Sequence, residues 1–100
     1  MNYFFHPAAE DEFNRAIDYY EEIEPALGYD FALEVHATIQ RSIEYPDAWP
    51  VLRGKMRRSL VRRFPYGIIY TMSENELQII AVMNLHRLPD YWKKRAEQRD

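Results

Sequence analysis

The chain contains no cysteine. That excludes disulfides and thiolate-held metal sites, and in a domain this small it fits a cytosolic protein most simply. Glycine is nearly as scarce. Gly28, Gly54 and Gly67 are the only three, too scattered to build a phosphate-cradling loop. Serine occurs only as Ser42, Ser59 and Ser73, none of them in the G-x-S-x-G setting of a nucleophile elbow. His6, His36 and His86 stand far apart with no H-x-x-x-H pair, so no metal centre and no cofactor are expected. No apolar run approaches the roughly 18–20 residues that cross a bilayer. The N-terminus, Met1 to Pro7, lacks the basic segment of a secretory signal, and none is expected.

What is present argues for one folded domain. The chain has 100 residues, 47% of them hydrophobic and 15% aromatic, too apolar for a disordered chain. A domain of this size hides about 60–65% of its unfolded surface. Residues 1–100 are therefore expected to form one domain around one modest core.

The net charge of −3 hides a division. Residues 1–50 carry two basic side chains against eleven acidic, a net −9; residues 51–100 carry eleven against five, a net +6. Such a split predicts two faces of opposite sign. Arg53, Lys55, Arg57, Arg58, Arg62 and Arg63 form a run with no acid among them. A solvated strand edge accounts for this run about as well as an anionic partner does, whether nucleic acid or an acidic protein segment.

Hydrophobic periodicity sets out the elements. Tyr3, Phe4 and Phe5 read as a short strand. Pro7 suits the first turn of a helix, where its missing N–H costs nothing, and Glu10, Asp11 and Glu12 suit the positive end of that helix's dipole. Ala9, Phe13, Ala16, Ile17, Tyr20 and Ile23 recur every three or four residues as one buried stripe. Pro25 and Gly28 stop this helix. A second is expected from near Asp30, burying Phe31, Val35, Ile39 and Ile43. It should end at Tyr45, which Pro46 pushes out of the helical region. After a loop carrying Trp49, strands are expected over Met56–Phe64, from Ile68 to Met72, and over Leu77–Met83, the last covered on both faces. Pro89-Asp90 opens a short final helix through Tyr91 and Trp92. The class is α+β, in the order β-α-α-β-β-β, with an antiparallel sheet packed by a helical hairpin and a short C-terminal helix.

One chemistry survives the absences: metal-free cleavage of RNA, whose 2′-hydroxyl is its own nucleophile. It needs a proton carrier and cations around the developing phosphorane. His86 is the candidate proton carrier, imidazole being the side chain suited to that role; Arg58, Arg62, Arg63 and Arg87 supply cations, and Tyr91 is a weak acid. Each has a plain alternative. His86 and Arg87 read equally as a surface pair, and Tyr91-Trp92 as the apolar side of the last helix. Glu21-Glu22 reads as an ordinary exposed helix pair.

The element order, with Phe5-His6-Pro7-Ala8-Ala9-Glu10 at its start, resembles the RelE/ParE superfamily of toxins. Further carriers are Leu27-Gly28-Tyr29-Asp30-Phe31, the stretch Arg62-Arg63-Phe64-Pro65-Tyr66-Gly67-Ile68-Ile69-Tyr70, and Ala81-Val82 through Arg87-Leu88-Pro89-Asp90-Tyr91-Trp92. The resemblance spans essentially the whole chain. It implies the toxin of a bacterial type II toxin–antitoxin, or plasmid stabilisation, module, with a cognate antitoxin as partner. RelE-like members cut messenger RNA on the ribosome, which would make His86, Arg87 and Tyr91 catalytic. ParE-like members inhibit DNA gyrase. RelE-like enzymes tend to carry an arginine where Gly67 stands, a lysine-rich second strand, and histidine at the place of Asn84. These departures favour the ParE-like branch, a binding toxin rather than an enzyme, with Arg57, Arg58, Arg62 and Arg63 meeting target or antitoxin. A non-toxic member that only binds its antitoxin is the third reading.

Overall fold

The structure is a computed structural model that describes residues 2–87 and 91–97. Strand β1 (Asn2–Phe5) leads into helix α1 (Pro7–Ile23), then α2 (Leu27–Glu44), β2 (Val51–Arg53), β3 (Met56–Leu60), β4 (Tyr66–Ser73), β5 (Glu76–Asn84) and α3 (Lys93–Glu97). The sheet order is β1-β5-β4-β3-β2. The α+β class, the helical hairpin and the short C-terminal helix are as expected. The helix start expected at Pro89-Asp90 lies outside the described residues, and Tyr91 and Trp92, expected within that helix, form the turn before α3, which begins at Lys93.

One strand beyond the expected set changes the sheet. β2 pairs antiparallel with β3 through the turn at Gly54. Its insertion reverses the direction of every strand that follows. β2 to β5 still form the antiparallel meander, but β5 now runs parallel to β1, with Tyr3 opposite Leu77 and Phe5 opposite Ile79. The basic strand is also shorter than its sequence suggested. It stops at Leu60, because Arg63 adopts a left-handed φ of 73° and the chain turns back, Val61 N–H donating to the Tyr66 carbonyl.

Local chemistry fixes the hairpin. His6 caps α1, its Nδ1 accepting the Ala8 N–H at 3.0 Å, ahead of Pro7. α2 starts at Leu27, three residues earlier than expected, and so takes in Gly28. A Cβ there would lie 2.5 Å from the Ile17 carbonyl oxygen, so glycine is what lets α1 and α2 approach. Ala26, before α2, has no capping side chain. Glu21 of α1 supplies one instead, accepting the Ala26 and Gly28 N–H groups at 2.8 and 3.0 Å. Glu21 is thus a cap for the neighbouring helix rather than a free surface acid.

The hairpin covers the near face of the sheet. Phe31, Val35 and Ile39 are fully buried against Phe13, Phe64, Tyr66, Ile68, Tyr70 and Leu77. Burying such a side chain stabilises by roughly 1.5–3 kcal/mol. Ring contacts tie the layers together: Phe5 stacks on Phe13 at 5.5 Å, and Phe31 meets Tyr66 edge-on at 4.9 Å. Ile23, the last member of the α1 stripe, is instead 59% exposed at the helix end. The far face holds a second cluster of Met56, Ile69, Ile80, Ala81 and Met83, closed by Trp92. β5 is buried from Leu77 to Met83, as expected of a strand covered on both sides.

Candidate functional site

β1 ends at Phe5 and hands over to α1, His6 N–H making the last bond to the Ile79 carbonyl at 2.8 Å. Beyond that point, among the described residues, β5 has no neighbouring strand on this side. A bulge falls here. Ile69 faces Ala81 and Tyr70 faces Ile79, leaving Ile80 as the extra residue. The Ile80 carbonyl and the Val82 N–H are met by side chains instead of a strand. Such orphan backbone groups are costly when buried without partners.

Glu12 and Arg95 meet this need. The Glu12 carboxylate accepts from Val82 N–H at 3.0 Å, from the Tyr91 hydroxyl at 2.7 Å, and from both Arg95 Nη atoms at 2.8 and 3.0 Å. Arg95 Nη1 also donates to the Ile80 carbonyl at 3.1 Å. Both side chains are mostly buried, 15% and 16% exposed. The bidentate fork and the filled oxygen positions make this a satisfied buried pair. Two guanidinium groups lie against the Tyr91 ring, Arg87 at 4.3 Å and Arg95 at 5.1 Å from its centre. Burial first, then donation to Glu12, pushes the Tyr91 phenol well above its ordinary range.

Beside this pair opens a cleft of about 390 Å³. Arg15 and Tyr19 of α1 form one wall, Arg87, Tyr91 and Arg95 the other, and Tyr66 and Asn84 lie between them. Arg15 is held by Asp11 at 2.9 Å. Burial raises the Tyr66 phenol, and its hydrogen bond with the Asn84 side chain partly offsets that rise.

The residues singled out by sequence divide between several places. Arg87 and Tyr91 line this cleft together with Tyr66 and Asn84. His86 does not line it. His86 is exposed, and among the described residues only its backbone N–H is engaged, by Asn84 Oδ1 at 2.9 Å. The four arginines do not form one patch. Arg57 lies on the helix-covered side of β3 and pins the loop before β2, donating to the Trp49 and Asp47 carbonyls at 2.6 and 3.3 Å. Arg63 sits beside Asp30 at 3.7 Å and over the Phe64 ring. Arg58 lies on the opposite side of β3, its stem crossing Gly67, and Arg62 is exposed in the loop beyond Leu60. Among the described residues, no group of three or more His, Cys, Asp or Glu could hold a metal ion. Among those residues, too, no helix is long and apolar enough to cross a membrane.

Glu12 and Arg95 were not singled out from sequence. Glu12 is one of three consecutive acids near a helix start, and Arg95 one of three consecutive basic residues near the C-terminus. Nothing local connects residues 83 positions apart.

The fold defines a small α+β domain, a helical hairpin on a sheet whose far side is closed by a C-terminal segment. It matches a solved chain of the chromosomal ParDE toxin–antitoxin system from P. aeruginosa with a TM-score of 0.74, at 14% identity, over 86% of this chain and 97% of that one. The family described as the ParE toxin of the type II toxin–antitoxin system parDE matches residues 3–91. The chain belongs to the ParE toxin family. No curated protein matches it.

Proposed function

We propose that this chain is the toxin of a ParE-like module, acting in the cytoplasm by inhibiting DNA gyrase and silenced by a cognate antitoxin. Family membership supports the module. The observation that carries the binding, non-nuclease reading is the state of the two candidate proton carriers. Tyr91 donates its hydroxyl proton to Glu12 and is half-buried, and His86 stands outside the cleft. A general acid or base must reach the proton it moves. Here the phenol is committed to a structural carboxylate, so Tyr91 and Arg87 serve the fold's C-terminal closure. Arg58 and Arg62, solvent-accessible and without a carboxylate partner among the described residues, are then the cations offered to a target.

The test is expression of His86→Ala and Arg58→Glu/Arg62→Glu, each checked for folding. Growth inhibition, gyrase supercoiling and ribosome-dependent RNA cleavage are then scored. His86→Ala should keep full inhibition of supercoiling, and the double charge reversal should weaken it through lost complementarity. If instead His86→Ala lowers ribosome-dependent cleavage by about 10²–10⁴-fold and abolishes toxicity with it, the chain is an endoribonuclease using His86, Arg87 and Tyr91.

A further inference from the structure

Gyrase binding through Arg58 and Arg62 leaves the cleft beside the Glu12–Arg95 pair without a task, and the charges in that cleft do not cancel. Arg15, Arg87 and Arg95 line it against Asp11 and Glu12. Glu12 is taken up by Arg95 at 2.8 Å and Asp11 by Arg15 at 2.9 Å. Arg87 remains. Its guanidinium lies 4.3 Å over the Tyr91 ring, and no carboxylate meets it among the described residues. Stacking uses the face of a guanidinium and leaves its in-plane N–H groups free to donate. A second donor converges with it. Tyr66 and Asn84 are register partners on β4 and β5. Asn84 Oδ1 accepts the His86 N–H at 2.9 Å, so its Nδ2 is the atom that donates to the Tyr66 hydroxyl oxygen. Burial keeps that phenol protonated, and its own O–H is left to give. The Tyr66 ring packs in the core, 4.9 Å from Phe31, and meets the cleft by its hydroxyl end. At the rim, Tyr19 is 59% exposed, its ring held edge-on against Tyr20 at 5.2 Å.

We propose that this cleft binds a nucleoside monophosphate, its phosphate held by Arg87 and the Tyr66 hydroxyl and its base laid on the Tyr19 ring. The site is separate from Arg58 and Arg62 and does not depend on the gyrase reading. Two uncommitted donors, one of them charged, select an anion. A bare phosphate would fill little of about 390 Å³, a volume within the roughly 300–1,000 Å³ of small-molecule sites. The exposed ring beside the anion site is a platform on which a base stacks. The Asp11 carboxylate, 57% exposed beside Arg15, offers an acceptor to the ribose hydroxyls. Of the acids of α1, only Asp11 and Glu12 line the cleft, and each has its own arginine. Exposed charges farther off than about 8–10 Å are screened at physiological salt. A bound nucleotide ties Tyr19 of α1 to Arg87 beyond β5, across the gap that Glu12 and Arg95 bridge, and so stabilises the closed C-terminal segment.

The test titrates adenosine 5′-monophosphate (AMP) into the full-length toxin by calorimetry, with adenosine and inorganic phosphate as separate probes. AMP should bind, and each of the other two should bind at least about tenfold more weakly. Arg87→Gln removes the charge, and Tyr66→Phe removes only the hydroxyl and keeps the core ring. Each, checked for folding by circular dichroism, should weaken AMP at least about tenfold, the scale of one charge-assisted hydrogen bond. Tyr19→Ala should weaken AMP about fivefold or more and leave the binding of inorganic phosphate as it was. Lys55→Gln, in the turn between β2 and β3 on the other side of the sheet, should keep the wild-type affinity. Should Arg87→Gln fail to fold, Tyr66→Phe decides alone. Adenosine that binds as tightly as AMP overturns the anion site, and inorganic phosphate that binds as tightly as AMP overturns the base platform, and either result ends the nucleotide assignment. AMP affinity unchanged in the folded variants, or no binding of millimolar AMP by the wild-type chain, overturns the site itself.

Discussion

The two faces of the sheet are sealed by different physics. On the near face, two helices of 17 and 18 residues lay periodic apolar stripes on β4 and β5. On the far face, a five-residue helix preceded by one tryptophan covers a smaller cluster. What anchors that short cover is the Glu12–Arg95–Tyr91 group, which also completes the bare edge of β5. The first seal is spread over many side chains and tolerates small losses. The second depends on a few buried polar atoms, and removing any one leaves the others unpaired. A charged anchor of this kind suits a surface that must be closed by little chain.

Breaking the anchor should have the largest effect. Glu12→Ala leaves Arg95 buried without its partner and the Val82 N–H unsatisfied, and should cost about 3–5 kcal/mol. The loss should be read in a Trp49→Phe background, where Trp92 is the only indole. Its emission should shift red as the far face opens. An unchanged midpoint and an unchanged emission would mean that α3 is held by apolar contact alone.

On the near face the expected loss is set by volume. Ile39 is fully buried between α2 and the sheet, and Ile39→Ala should cost about 2–5 kcal/mol by the usual large-to-small cavity cost. Unlike Glu12→Ala, it should leave the Trp92 emission in place until the whole domain unfolds. A local loss of Trp92 burial in Ile39→Ala would show that the two faces are coupled rather than separately sealed.

The smallest effect sharpens the comparison through pH. An unfolded tyrosine titrates near 10. Burial raises Tyr91 above that, and the bond to Glu12 raises it further. Burial also pushes Tyr70 of the near face up to about 12, where its hydroxyl donates to the Pro46 carbonyl at 2.7 Å. Both folded pKa values lie above the unfolded one. This stabilisation is complete below pH ~10 and is lost as pH rises through the folded values. Stability should therefore fall above pH ~10. Tyr91→Phe and Tyr70→Phe should each shallow that fall, and urea midpoints measured between pH 8 and 11.5 read the slope. A profile as steep in Tyr91→Phe as in wild type would assign the alkaline loss to other groups.

The helical stripes, the strand positions of β4 and β5, the end of α2 before Pro46 and the resemblance carried by Arg62 to Tyr70 all stood in the sequence. Each is a short-range pattern, governed by the period of the element or by one residue's backbone limits. Gly67 was legible as a departure from the nuclease pattern, and Arg87 and Tyr91 as neighbours in one place. Tertiary structure decided the rest. It added β2, which turned β5 parallel to β1. It divided Arg57, Arg58 and Arg63 among different surroundings, since side chains alternate across a strand and a chain reversal separates the loop from it. It turned Glu21 into a cap and joined Glu12 to Arg95 across the molecule. Such pairings answer to orphan backbone groups at helix ends and sheet edges. Those groups become orphans only once the chain has folded around them, so no local pattern records who will meet them.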